Sequence, residues 1–214
     1  MVIQSYVFTY NRPLMLERVV CHLEGFSNVT IYDDGSDEPL QDERVVRLPH
    51  QGKRNYWKIW NKALHNAENT LADLYIFMPD DFEDLDIDKI LELHHKFKGD
   101  GYIYNIINDG RTKQWIGQEP MPIDDFTTRV GFTDCGFFCN RPALHKLGFY
   151  MKDPRDKWFE QGENISSGVG MMLTNRAHRQ RIPIYLPKES LAYHGDHESK
   201  MHPELRKIQP LKSK

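Results

Sequence analysis

Cysteine is scarce in this chain, and its three copies, Cys21, Cys135 and Cys139, include no Cys-x-x-Cys pair. An odd count without paired spacing argues against a disulfide framework and against a structural zinc site, so the thiols read as reduced, as in the cytoplasm. Long apolar runs are also missing. Nothing approaches the roughly 20 consecutive apolar residues that a membrane span needs. The chain goes straight into Val2-Ile3-Gln4-Ser5-Tyr6-Val7-Phe8 without a charged and then apolar leader. The expectation is a protein with no membrane span that is not exported. Charge of one sign is lacking too: 28 Lys+Arg stand against 31 Asp+Glu, a formal charge of -3. That balance excludes binding nucleic acid by bulk positive charge and leaves only a local basic patch open. With no repeat, low-complexity tract or linker, the 214 residues predict a single domain able to bury a sizeable core.

What is present is an alternation of short apolar runs and helical periods. Residues 3–9 are rich in β-branched and aromatic side chains and stop at Asn11-Arg12-Pro13, where proline ends pairing and can open a helix. Leu14, Leu16, Val19, Val20 and Leu23 then recur near a period of 3.6 until Gly25. A second strand, 28–32, runs into Asp33-Asp34-Gly35-Ser36, completing a βαβ unit. Further strands are predicted at 44–48 and 74–78, with a helix over 55–69 between them. This pattern predicts an α/β fold, a mostly parallel sheet flanked by helices. The second half is less regular: a helix over 86–97, strands at 101–107 and 133–140, a short helix at 142–147, a helix over 163–181 and a late strand at 182–186. Residues 110–126, with Pro120 and Pro122, read as a long loop.

In parallel sheets ligands bind beyond the carboxyl ends of the strands. Three such ends here are polar: Thr9-Tyr10-Asn11-Arg12-Pro13, Asp33-Asp34-Gly35-Ser36-Asp37, and Asp80-Asp81. Each has a plain alternative. Asp33 to Ser36 suits a simple turn, and Asp80 and Asp81 suit the N-terminal turn of a following helix. The functional reading is a hard-cation site at a solvent-facing strand end, where carboxylates hold Mg2+ or Mn2+ and a diphosphate completes the coordination.

Tyr6-Val7-Phe8-Thr9-Tyr10-Asn11-Arg12-Pro13 followed by Ile31-Tyr32-Asp33-Asp34-Gly35-Ser36-Asp37-Glu38-Pro39 resembles the opening of family 2 glycosyltransferases. Gln51-Gly52-Lys53-Arg54-Asn55 with Asn61-Lys62-Ala63-Leu64 is similar to their glycine-and-asparagine segment, and Phe77-Met78-Pro79-Asp80-Asp81 stands where their Asp-x-Asp metal motif falls. The resemblance spans residues 3–195 and is strongest over the first 85. It implies the GT-A fold, a Rossmann-like mostly parallel sheet, with 1–85 as the nucleotide-sugar-binding half, 86–200 as the acceptor-binding half and 201–214 as a basic tail. It further implies that Thr9, Asn11 and Arg12 lie against the nucleotide and that Asp33 bonds its base or ribose. Arg54 and Asn61 would lie near the donor, and Asp81, with Asp80 beside it, would hold the metal.

On the acceptor side, Thr133-Asp134-Cys135-Gly136-Phe137-Phe138 and Trp158-Phe159-Glu160-Gln161-Gly162-Glu163-Asn164 resemble later family segments. Where the family often has a Gly-Glu-Asp whose aspartate is the general base, this chain has Asn164, which cannot take a proton. Glu163 is the first substitute, then Asp134 and Glu160; a retaining enzyme, which needs no such base, stays open. Glu163 also suits a helix N-terminal charge. His194, in Tyr193-His194-Gly195-Asp196-His197, stands where many GT-A enzymes have a late metal-side histidine, though a lone His is as readily a surface residue.

The resemblance therefore implies a metal-dependent transferase moving a sugar from a nucleoside-diphosphate sugar, a UDP-sugar first, to an acceptor hydroxyl. The acceptor is a glycan, a small molecule or a hydroxymethylated base in DNA, the last as in phage enzymes, which act in the host cytoplasm. Trp57, Trp60, Trp115 and Trp158 either stack on a sugar or base or fill the core. Two other classes stay open: a sugar-phosphate nucleotidyltransferase, which would be expected to carry a Gly-rich loop after strand one, and a non-catalytic nucleotide-sugar binding module.

Overall fold

The computed structural model describes residues 1–99, 101–108, 121–133, 136–152 and 168–194, with the backbone alone at Lys53, Arg54 and His194. Strand β1 (Ile3–Thr9) leads through Tyr10, Asn11 and Arg12 into helix α1 (Pro13–Leu23), whose first residue is the proline, and α1 returns to β2 (Asn28–Asp33). There follow β3 (Val45–Arg47), the short α2 (Gly52–Asn55), α3 (Trp57–Asn69), β4 (Leu74–Pro79), the two-residue β5 (Phe82–Glu83) and α4 (Ile87–Phe97). The later elements are β6 (Ile103–Asn105), β7 (Met121–Pro122), β8 (Thr127–Val130), β9 (Phe137–Asn140), α5 (Arg141–Leu147), α6 (Val169–Arg179), β10 (Ile184–Pro187) and β11 (Tyr193–His194).

Nine strands form one mixed sheet in the order β3-β2-β1-β4-β9-β6-β10-β8-β7. The first four are parallel neighbours; β9 is inserted antiparallel between β4 and β6, and β8 runs antiparallel to β10. The sheet is thus mostly parallel in direction. Alternation along the strands separates two cores. Tyr6, Phe8, Tyr32, Phe77 and Phe137 face α3, α5 and α6, with Trp60 of α3 stacked on Phe8 at 4.6 Å and on Phe77 at 5.2 Å. Val7, Ile31, Ile76, Met78 and Phe138 face α1 and α4. Burying both faces leaves the strand ends as the place where polar groups gather.

Helices α1, α4 and α5 start at a proline or at a side-chain cap. Asp86 accepts from Lys89 N at 2.9 Å to cap α4, and Asn140 accepts from Ala143 N at 3.2 Å to cap α5. The expected loop over 110–126 is in part a strand: Met121–Pro122 pairs with β8 at the sheet's margin, an edge position where a proline's missing N-H costs no ladder bond. A second departure is the separate ladder of β5 and β11, which pairs Tyr193 with Glu83 and His194 with Phe82. Among the described residues no helix is long and apolar enough to cross a membrane.

Candidate nucleotide and metal site

Register brings the three polar strand ends together. Thr9 is the partner of Asp33 across β1 and β2, and Phe8 is the partner of Pro79 across β1 and β4. The ladder continues one bond further on each side: Asp34 N donates to Thr9 O at 3.0 Å and Asp80 N to Phe8 O at 3.0 Å. Thr9 Oγ1 then donates to Asp80 Oδ2 at 2.6 Å, tying β1 to the residue that follows β4.

Asp80 and Asp81 are 4% and 3% exposed, so the strand end is closed over, contrary to the solvent-facing position expected. Their cation is Arg12, whose Nη1 lies 3.2 Å from Asp80 Oδ1 and 2.9 Å from Asp81 Oδ2. Burial, and next the charge of Asp81, push the Asp80 carboxyl up to about 7; the bonds from Thr9 and Arg12 pull against that shift. Burial works against the Arg12 charge, but the two carboxylates outweigh it and raise the guanidinium above its ordinary value. The helix-cap alternative for this pair is excluded, because β5 follows Asp81 and α4 is capped by Asp86.

The two carboxylate oxygens of Asp33 differ in their surroundings. Its Oδ1 accepts from Ser36 N at 3.0 Å and Ser36 Oγ at 2.6 Å, which is the plain turn. Among the described residues its Oδ2 is buried with no hydrogen-bond partner, and Arg47 Nη1 stands 3.9 Å away, too far for a hydrogen bond. Asp34 organises the next segment. Its oxygens accept from Gln51 N at 2.6 Å and Gly52 N at 3.1 Å, and His50 Nδ1 lies 3.1 Å from Oδ2. Burial raises the Asp34 pKa, opposed by the backbone bond from Gln51, the His50 charge and the bond from Gly52. His50 stacks on Tyr10 with ring centroids 4.3 Å apart. Gly35 permits this closeness: at φ +75° a Cβ there would sit 2.6 Å from His50 N and 2.9 Å from Leu48 O.

The remaining expected residues divide sharply. Asn11, at φ +53°, donates its backbone N-H to Ser36 Oγ at 2.8 Å and exchanges side-chain and backbone bonds with Asp37, so it joins the β1 and β2 ends. The amide of Asn61 bonds both the N-H and the C=O of Met151, at 2.6 and 2.9 Å, which pins the chain after α5 to α3. Arg54 lies in α2, and His194 has its backbone paired with Phe82, the residue after Asp81. Gly136 meets the same residue, for a Cβ there would collide with the Phe82 ring. Glu163, Asp134 and Glu160, with Asn164, Trp115, Trp158 and the 201–214 tail, lie outside the described residues. Trp60 fills the core.

Ser36 belongs to the Asp33-to-Asp37 strand end already read from the sequence, whereas His50 and Arg47 were not singled out. Their only signal is indirect: Pro49-His50-Gln51-Gly52 follows a strand of the same sheet edge, which places a turn there without saying what it meets.

Among the described residues no group of three or more His, Cys, Asp and Glu side chains comes together around an ion position. Two buried adjacent carboxylates still fit a hard cation, because Mg2+ and Mn2+ use one or two carboxylates and complete their shell with waters and substrate phosphates. The chemistry of the donor set agrees, since the pair already holds one cation, the Arg12 guanidinium.

No family model matches the sequence, and no curated protein matches it. Solved structures do match. S. aureus TarS superposes at TM-score 0.56 and 12% identity, over 92% of this chain and 37% of that one. Glucosyl-3-phosphoglycerate synthase from Mycobacterium tuberculosis, solved with Mn2+ and UDP-glucose, superposes at 0.54 and 14%, over 92% and 72%. GalNAc-T7, solved with UDP, GalNAc and Mn2+, superposes at 0.51 and 10%, over 87% and 42%. This chain therefore has the GT-A glycosyltransferase fold, and it spans less than half the length of TarS and of GalNAc-T7.

Proposed function

We propose that the protein is a glycosyltransferase that moves a sugar from a nucleoside-diphosphate sugar, a UDP-sugar in the first instance, to an acceptor hydroxyl. The observation that carries this reading is the register that sets Thr9 beside Asp33, with the bond from Thr9 to Asp80, so that the Asp33 carboxylate and a buried acidic pair share one sheet edge. On this reading Asp33 Oδ2 accepts from a base N-H or a ribose hydroxyl, a donor that it lacks among the described residues. Asp81 and Asp80 hold Mn2+ or Mg2+, with His194 entering from β11. When bound, that metal neutralises charge on the diphosphate leaving group. Tyr10 and His50 wall the nucleotide side, and Thr9 fixes the Asp80 carboxylate. Residues 86–200 would bind the acceptor, a glycan, a small molecule or a hydroxymethylated DNA base, with Glu163 as first candidate for the base that takes its proton, before Asp134 and Glu160. The free thiols of Cys21 and Cys139 agree with a cytoplasmic setting.

A thermal-shift titration with UDP, with and without Mn2+, tests the site, because binding to the native state alone raises the melting point. Asp81→Asn is expected to abolish release of UDP from a UDP-sugar and to remove the Mn2+-dependent part of UDP binding. Full activity of that variant without metal overturns the assignment, and UDP binding with no turnover of any donor tried makes the protein a binding module.

A further inference from the structure

A metal ion held by Asp80 and Asp81 and the observed position of Arg12 exclude each other. One nitrogen, Arg12 Nη1, lies 3.2 Å from one carboxylate and 2.9 Å from the other, in the space between them. A small divalent cation needs these oxygens at about 2.0–2.1 Å, as for Mg2+, so it would take that same space. The pair also cannot be left bare: the side chains are 8% exposed for Arg12 and 5% for each Asp. Removing one partner from a buried ion pair leaves a charge uncompensated and is strongly destabilising. Departure of the guanidinium therefore leaves a buried carboxylate charge to be met by another cation, a metal ion or a proton, and a phosphate can take over the guanidinium.

The backbone confines any movement to the side chain. Arg12 precedes Pro13 at the start of α1, and its carbonyl accepts from Leu16 N at 3.0 Å, which anchors the main chain to the helix. Thr9 holds Asp80 through the other carboxylate oxygen, Oδ2, so the carboxylate keeps its orientation whichever cation faces Oδ1. A guanidinium is weakly hydrated and shaped to grip phosphate, which makes a diphosphate its natural second partner.

We propose that Arg12 is an exchangeable counterion: it neutralises Asp80 and Asp81 in the nucleotide-free protein, and a divalent cation arriving with a nucleoside diphosphate displaces it onto the phosphates. Metal alone then binds weakly, and metal and nucleotide bind cooperatively. This rests on the reading of Asp80 and Asp81 as the metal pair.

The test is Mn2+ binding, read from the electron paramagnetic resonance signal of the free ion, for wild type and Arg12→Gln with and without UDP. Without UDP, Arg12→Gln is expected to bind Mn2+ at least about 10-fold more tightly than wild type, since the competing cation is gone. UDP should tighten Mn2+ binding to wild type by a factor within the roughly 5 to 150-fold range usual for coupled sites, and most of that coupling should vanish in Arg12→Gln. A second measurement needs no variant: in wild type, the Arg12 guanidinium NMR resonance should move when Mg2+ and UDP are added together and stay in place with Mg2+ alone. Equal Mn2+ affinity of the two proteins without UDP, or an unmoved resonance while Mg2+ and UDP bind, overturns the exchange and leaves the metal reading standing. No Mn2+ binding by either protein, with or without UDP, overturns both.

Discussion

Thr9 donates its hydroxyl to Asp80 at 2.6 Å, a side-chain bond that crosses from the end of β1 to the residue following β4. It is buried, it spans 71 positions of sequence, and it leaves the other Asp80 oxygen to Arg12. Asp80 is thus oriented by a residue of the neighbouring strand, and the acidic pair is faced by Arg12, the residue just before α1.

Thr9→Val keeps the β-branched shape that the strand needs and deletes the bond. It is expected to lower stability by about 1.5–3 kcal/mol, the usual worth of a hydrogen bond to a charged group. Urea unfolding reads this loss, and the Mn2+-dependent part of UDP binding should weaken with it because Asp80 loses its orientation.

Asp33→Asn separates the turn from the ligand. The retained carbonyl oxygen can still accept from Ser36, as Oδ1 does at 3.0 and 2.6 Å, while the acceptor at Oδ2 becomes a donor. UDP affinity measured by calorimetry should fall by about 1.5–3 kcal/mol, with the melting point of the free protein nearly unchanged. Unchanged affinity would return Asp33 to the status of a plain turn residue.

Gly35→Ala should destabilise by more than about 1 kcal/mol, because it adds a side chain at a left-handed backbone position. The new Cβ also meets backbone, His50 N at 2.6 Å and Leu48 O at 2.9 Å, which cannot swing aside as a side chain would. Thermal melts would show the loss, and UDP affinity should drop as the Tyr10–His50 stack is pushed apart.

Stability should also fall in mild acid through a residue far from the site. His94 is 5% exposed, with Nδ1 2.8 Å from the Tyr102 hydroxyl. Burial, then the neighbouring charges of His95 and Lys98, lower its pKa below the ordinary 6.5, with Asp73 pulling the other way. The unfolded chain therefore takes up a proton near 6.5 that the folded chain refuses, so stability is full above that pH and is lost as pH falls below it. Denaturant midpoints across pH 5 to 8 should show this slope, and His94→Gln, which can still bond Tyr102, should flatten it.

The order of strands and helices in the first half was legible along the chain because each element there is local. Apolar runs of strand length end at Asn11-Arg12-Pro13, at Asp33-Asp34-Gly35 and at Pro79-Asp80-Asp81, and proline and glycine punctuate them by their own backbone limits. The same runs showed which polar residues would stand at strand ends, and the sheet brings Thr9, Asp33 and Asp80 together as neighbours. What only the tertiary structure decided is non-local. The insertion of β9 between β4 and β6, the pairing of His194 with Phe82, and the closure of Arg12 over carboxylates 68 and 69 positions away leave no period or spacing in the sequence. Asn61 shows the same limit: its type and helix suited a place near the donor, and its bonds to the backbone of Met151, 90 positions on, are visible only in the fold. A side chain's type and its strand end are properties of the chain, whereas its partner depends on which distant segment packing brings within hydrogen-bond reach.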